Sequence, residues 1–302
     1  MTRNELKGNL ILLLTALIWG CAFVAQSVSM DYIGPFTFQS IRSLIGSAVL
    51  VPVFLFLDQQ KKRNGTYTPP TKQQKHTQLI AGIICGIIMT IAGNLQQIGM
   101  QYTTAGKAGF ITAIYILIVP ILGIFLKKKV SPKLWGCVGL ALMGLYLLSV
   151  TEGFTAINKG DIYVLLCAIA FAFHIIAVDH YVDQVDGVRL SSMQFFVCGI
   201  LSGIFMLLFE TPTMSGLISA ALPILYAGVM SCGIAYTLQI IGQKYTNPTM
   251  ASMIMSLESV FAVLGGMVML HEIPTTREAL GCTLMFIAIL IPQLPDKKKA
   301  TD

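Results

Sequence analysis

Two ionisable side chains stand deep inside apolar segments: Glu258 in "MIMSLESVFAVLGG" (253–266) and His174 in "AIAFAFHIIAVDHY" (168–181). A charge at the centre of a membrane-spanning helix costs about 2.5–3.5 kcal/mol on insertion scales, so each such group needs a partner, a wet cavity or a proton. For Glu258 two readings stand side by side. It is a protonatable or solute-facing carboxylate, or it is a structural hydrogen-bonding Glu, neutral or paired with Arg42. Imidazole is the side chain whose charge change falls nearest neutral pH, so His174 reads as a gate or coupling group, or as a neutral His satisfied by a neighbouring helix. Arg42 binds an anionic solute or holds a helix junction. Lys107 fits a side chain that snorkels outward, and Asp179 and His180 fit interfacial solvation at a helix end.

Around these charges the apolar segments carry a sparse set of aromatics and amides: Trp19, Phe23 and Gln26, then Asn94 and Gln97, Tyr115, Phe171, and Tyr236 with Gln239. Gathered in one place, they would line a pocket for a small amphipathic solute, although each alone is equally ordinary packing. The expected cavity set is those nine residues with His174 and Glu258, and the expected coupling or structural charges are Glu258, His174 and Arg42. Catalysis finds little support. "HEIPT" (271–275) lacks the second His of HExxH, and neither GxSxG nor a Walker loop occurs. The seven cysteines fall in apolar runs without CxxC and read as small packing residues, so no metal or other cofactor is expected.

The elements that position these residues are long and apolar. Hydrophobic residues make up 55% of the 302, charged residues only 11%, and mean hydropathy is +0.75, against about 25% charge in soluble domains. Ten windows near twenty residues emerge, at about 8–28, 34–57, 77–99, 102–126, 133–150, 161–182, 189–209, 218–241, 247–270 and 278–294. The first exceeds a signal-peptide core and reads as a retained helix. Pro and Gly punctuate the breaks, as at Gly34-Pro35, Pro69-Pro70 and Asn247-Pro248. With a cytosolic N-terminus, sixteen of the twenty Lys and Arg residues fall on the inner side, which places both termini in the cytosol. The net charge of +6 then needs no nucleic acid partner. At 1.5 Å per residue, Glu258 and His174 lie roughly 18–20 Å from the outer ends of their segments, near the midplane, while Arg42 and Lys107 fall in the outer half.

An internal repeat organises the ten segments. "LQQIGMQYTTAGKAGFI" (95–111) and "LQIIGQKYTNPTMASMI" (238–254) agree at eight of seventeen positions, including Gln96 with Gln239 and Tyr102-Thr103 with Tyr245-Thr246. Each copy joins the third and fourth helices of a five-helix unit. Because five is odd, the units 1–152 and 153–302 enter the membrane from opposite sides, an arrangement typical of secondary transporters with a midplane site. Gly82-x-x-x-Gly86 and Gly199-x-x-x-Gly203 suit close helix approach. At the offset of 143, Glu258 corresponds to Tyr115, so the carboxylate is present in one copy alone.

Several stretches resemble the drug/metabolite transporter superfamily, specifically the ten-helix EamA-type permeases. "LIWGCAFVAQ" (17–26) is similar to the family's opening Trp-Gly helix and "GPFTFQSIRSLIGSAVL" (34–50) to its second helix with an Arg. "YILIVPILGIFL" (115–126) is similar to the fourth, and "SLESVFAVLGGMVMLHE" (256–272) to the ninth. The chain departs from the pattern at Ser259, His271 and Lys128-Lys129, where the family often has Pro, Gly and Gly-Glu. The resemblance implies an all-α integral membrane protein that exports or exchanges small amino acids, related metabolites or drug-like compounds, without ATP and with protons as the candidate coupling ion. An importer of a nucleobase-, vitamin- or cofactor-like solute is the alternative, and an intramembrane enzyme or membrane sensor the alternative of another class. The expected partners are a small-molecule solute and the bilayer of the cell membrane, with the chain a monomer or homodimer.

Overall fold

The computed structural model describes residues 2–103, 105–127, 130–149, 158–269 and 275–293. Lys128, Lys129 and His271 lie outside these, as do the side chains of residues 105–107, 148–149, 265–269 and 293, Lys107 among them. Among the described residues all regular structure is helical: α1 Arg3–Ser29, α2 Pro35–Arg63, α3 Lys72–Met100, α4 Ala105–Ala113, α5 Tyr115–Phe125, α6 Pro132–Ser149 and α7 Lys159–Tyr181. Then follow α8 Gly187–Phe209, α9 Met214–Ser219, α10 Ala221–Tyr226, a π-helical segment Ala227–Ala235, α11 Tyr236–Gln243, α12 Pro248–Met255, α13 Glu258–Met269 and α14 Thr276–Gln293. Seven helical stretches among them are long and apolar enough to cross a membrane: 3–29, 35–63, 72–100, 108–125, 159–181, 187–209 and 221–243. Two shorter apolar helices span 132–147 and 248–264.

Local chemistry explains where the helices begin and end. Capping boxes start α1, α3 and α7, pairing Thr2 with Glu5, Thr71 with Gln74 and Asn158 with Asp161. Pro occupies the first turn of α2 and α12, where its missing N–H costs nothing. The second helix runs six residues beyond its apolar window, because "DQQKKR" (58–63) continues the helix into polar surroundings. It stops at Asn64–Gly65, where Gly65 takes φ +68° and the Gly65 and Thr66 N–H groups return to the Lys62 and Lys61 carbonyls.

Three helices are interrupted, which hydropathy did not foretell. Between α4 and α5 the Ile114 N–H donates to the Ile111 carbonyl at 3.2 Å, and between α12 and α13 the Leu257 N–H donates to the Ile254 carbonyl at 3.1 Å. These one-turn tightenings of the ladder are 143 positions apart. The third interruption is the π-helical segment between α10 and α11.

The packing is paired. α2 lies along α8, and α6 along α14. α3 contacts α7 and α8, while the π segment and α11 contact α2 and α1. On the α2–α8 seam the Ser40 hydroxyl donates to the Gly199 carbonyl at 2.9 Å, and the Ser192 hydroxyl donates to the Ser47 carbonyl at 3.1 Å. One end of the seam is closed by the Glu210 carboxylate, which accepts from the Phe36 and Thr37 N–H groups at 2.9 and 2.8 Å and from the Thr37 hydroxyl at 2.6 Å. A carboxylate there also faces the positive end of the α2 dipole. Arg189 and Asp58 pair at the other end. The largest apolar cluster fills the space between α1, α3, α5, α7 and α12, around the cavity described next.

Candidate functional site

Residues from both sequence halves converge on one central cavity. α1 supplies Trp19, Phe23 and Gln26 on one side, because these positions recur at three- to four-residue spacing and share a helix face. Arg42 comes from α2, Tyr115 from the first turn of α5, and Phe171 from α7. Tyr236 and Gln239 reach it from α11, and Glu258 from the first turn of α13. The helix interruption at Ser256–Leu257 thus delivers Glu258, and its counterpart at Ile114 delivers Tyr115.

Close helix contact holds these groups together. A Cβ on Gly20 would fall 2.7 Å from both the Glu258 carbonyl oxygen and Phe261 Cβ, so α1 packs backbone to backbone against α13 beside Trp19. The Trp19 and Tyr236 rings lie 4.5 Å apart, tilted at 56°. The Tyr115 hydroxyl donates to Glu258 Oε1 at 3.4 Å, and the Glu258 side chain is buried. Arg42 Nε donates to Gln39 Oε1 at 2.8 Å, Arg42 Nη2 reaches the same oxygen, and the guanidinium lies 4.9 Å from the centre of the Phe38 ring. The guanidinium is therefore held by its own helix. Among the described residues no ion pair joins Arg42 to Glu258, which removes one of the structural roles considered for the carboxylate.

Three of the expected residues do not border the cavity. Asn94 Nδ2 donates to the Thr90 carbonyl and the Ser202 hydroxyl, both at 2.9 Å, and ties α3 to α8. The Gln97 amide donates to Gln26 Oε1, so it supports a cavity residue from behind. His174 Nε2 is 2.9 Å from Gln194 Oε1, with its ring edge-on to Tyr236 at 6.2 Å. Five residues on the cavity were not anticipated: Gln96, Thr112, Ile175, Ser231 and Met255. Gln96 was signalled by the repeat, where it matches Gln239. The other four are small or apolar residues among many like them.

The cavity measures about 30 Å³. A water molecule occupies about 30 Å³ of liquid, whereas small-molecule pockets run to roughly 300–1,000 Å³, so a solute requires the lining helices to part. Two buried polar atoms of lining residues, Trp19 Nε1 and Gln239 Oε1, have no hydrogen-bond partner among the described residues, leaving one donor and one acceptor available. A larger cavity of about 420 Å³ lies one helical turn away, between Val119, Ile176, Asp179 and Thr249. Among the described residues no group of three or more His, Cys, Asp or Glu side chains has metal-holding geometry.

The model of the EamA-like transporter family matches the chain twice, over residues 6–150 and 158–292. The chain belongs to the EamA-like transporter family. A protein of Archaeoglobus fulgidus named "Uncharacterized transporter" is 32% identical over 297 residues, covering 96% of this chain and 87% of the relative. "Uncharacterized transporter YoaV" of Bacillus subtilis is 24% identical over 293 residues, covering 94% and 96%. A solved structure named "Crystal structure of protein" superposes with a TM-score of 0.76 at 18% identity, covering 95% of this chain and 98% of that one, and so shares the fold. This EamA-like transporter is accordingly a multi-pass membrane protein.

Proposed function

We propose that this EamA-like transporter is a secondary carrier built from two inverted five-helix units, 1–152 and 153–302, that alternately exposes the central cavity to the two sides of the cell membrane. The observation that carries the reading is the Tyr115–Glu258 contact. These residues are equivalent in the repeat, 143 positions apart, and they touch at the cavity wall. Equivalent residues meet beside the axis that relates them, so the contact supports a pseudo-twofold axis through the cavity. The seam gives independent support. Ser40 and Ser192, Ser47 and Gly199, and Asp58 and Glu210 are each 152 positions apart, and the first two pairs make reciprocal bonds. Ten passes follow when α4–α5, α10–α11 and α12–α13 each count as one, with the basic ends of the passes, and both termini, in the cytosol.

The lining favours a small zwitterion of the amino-acid kind, exported or exchanged. An ammonium group would meet Glu258 and Gln239 Oε1. A carboxylate would meet Trp19 Nε1 and the Arg42 side of the cavity, with an apolar side chain among Phe23, Phe171 and Met255. A solute ammonium and a proton would then compete for the Glu258 carboxylate, which couples their movements. With both termini in the cytosol, the 420 Å³ cavity beside Asp179 would lie toward the cytosolic side. A flat heterocycle is the second reading, favoured by the Trp19–Tyr236 ring pair beside the Trp19 Nε1 donor and the Gln239 Oε1 acceptor, neither of which has a partner among the described residues. Counterflow of a panel of amino acids and nucleobases in proteoliposomes decides between them. Amino-acid counterflow is expected, nucleobase counterflow would support the second reading, and absence of flux for every solute would overturn the carrier reading.

A further inference from the structure

The two halves are not equally regular, and the irregularity can be located to one residue. Helices α1 and α2 relate to α7 and α8 at an offset of 152. A Cβ on Gly86 of α3 would lie 2.6 Å from Val197 Cβ and 2.9 Å from the Gln194 carbonyl oxygen. A Cβ on Gly228 would lie 2.8 Å from Ile45 Cβ and 3.1 Å from the Arg42 carbonyl oxygen. Val197 and Ile45, and Gln194 and Arg42, are each 152 apart, so Gly86 and Gly228 occupy equivalent places, 142 positions apart. Further along, Gly99 packs on Val164 and the Gly160 carbonyl as Gly242 packs on Leu12 and the Gly8 carbonyl. Gly99 and Gly242 are 143 apart.

Between the same two contact points the second half therefore holds one residue more than the first. Thirteen residues from Gly86 to Gly99 rise about 19.5 Å in a regular α-helix. Fourteen from Gly228 to Gly242 bridge the matching distance, and the surplus is absorbed where the chain widens into the π-helical segment Ala227–Ala235. Side chains bond two carbonyls of the segment: the Thr237 hydroxyl donates to the Gly233 carbonyl at 2.6 Å, and the Thr15 hydroxyl reaches the Ala235 carbonyl at 3.4 Å.

The segment also shapes the cavity. Ser231 lies within it and Tyr236 directly follows it, and both border the cavity. At the place in α3 equivalent to Tyr236 is Gly93, pressed against the Gln39 side chain. We propose that this single inserted residue is the specificity-determining element of the cavity: it rotates the Ser231 face toward the solute and lets Tyr236 stand against Trp19. The functional half of this inference rests on the carrier reading, whereas the insertion itself does not.

Deleting Ile234, a residue of the segment exposed on the outside of the bundle, should return the helix to the regular register of α3 with both flanking contacts kept. Deleting the exposed Ile87 of α3 is the matched control, because that helix has no residue to spare. ΔIle234 is expected to remain monodisperse with a thermal midpoint within about 3 °C of the parent, while ΔIle87 loses the folded peak. Solute preference in ΔIle234, as the ratio of kcat/KM for two panel solutes, is expected to change by at least about tenfold. An unchanged ratio overturns the specificity role. Destabilisation of ΔIle234 equal to that of ΔIle87 overturns the insertion. If the parent protein carries no solute, the carrier reading fails, and the stability comparison still judges the insertion.

Discussion

Replacing Gly20 by Ala probes the contact on which the cavity geometry depends. The added Cβ would lie 2.7 Å from the Glu258 carbonyl oxygen, 2.7 Å from Phe261 Cβ and 2.9 Å from the Ala262 nitrogen. Non-bonded heavy atoms reach their optimum near about 3.5 Å, so α1 must retreat by roughly 0.8 Å over that turn. Two of the three obstacles are backbone atoms of the opposing helix and have no rotamer to escape into. Overpacking of this kind costs about 1–3 kcal/mol, offset by up to about 1 kcal/mol from the better helix propensity of Ala, for a net loss of about 1–2 kcal/mol. The retreat also carries Trp19 and Phe23 away from Glu258, so flux should fall with stability. The control is Gly139→Ala in α6, where a Cβ meets nothing within 4 Å and the substitution should be neutral or slightly stabilising. Equilibrium unfolding in mixed micelles and flux in proteoliposomes measure the two effects. Equal behaviour of Gly20→Ala and Gly139→Ala would refute the close approach of α1 to α13.

Ser40→Ala and Ser192→Ala each remove a bond to a seam carbonyl and should each cost about 0.5–1.5 kcal/mol in the same unfolding assay, Ser192→Ala the more because it also loses the 3.3 Å contact with the Ser47 hydroxyl; an unchanged unfolding curve for either would contradict the seam bonds. Glu210→Gln weakens the cap on α2 and should lower stability by about 1–2 kcal/mol, and an unchanged unfolding curve would show the cap to be dispensable. His174 lies behind Tyr236 and off the cavity, so His174→Gln should leave the pH profile of transport where it was; a displaced profile would return His174 to the coupling mechanism.

What could be read from residue order was periodicity, punctuation and repetition. Long apolar windows give helices because backbone groups in lipid must be satisfied internally, and the match of 95–111 to 238–254 pointed to two units. Depth follows from the fixed rise per residue, which gives Glu258 and His174 the same expected level near the midplane and so does not tell them apart. Which way a side chain points around its helix was not legible. Hydropathy is high on all faces of these helices, so nothing in the pattern separated Glu258, on the cavity, from His174, turned toward Gln194. The polar extension of α2 past residue 57 is not written in the hydropathy, because helix and apolar window are different properties. The change of offset from 142 to 143 is hidden in the sequence, because one inserted residue is invisible between degenerate apolar stretches until contacts on both sides fix the register.

The central claim is that Glu258 stands at the solute cavity on the axis relating the two halves and exchanges its proton for the solute. Gradient-driven flux of a counterflow-positive solute through Glu258→Gln, reconstituted at matched protein density and with its thermal midpoint recorded, tests this most directly. A folded variant that has lost coupled flux by at least about tenfold is the predicted result. Unchanged flux, gradient dependence and solute affinity in that variant would contradict it.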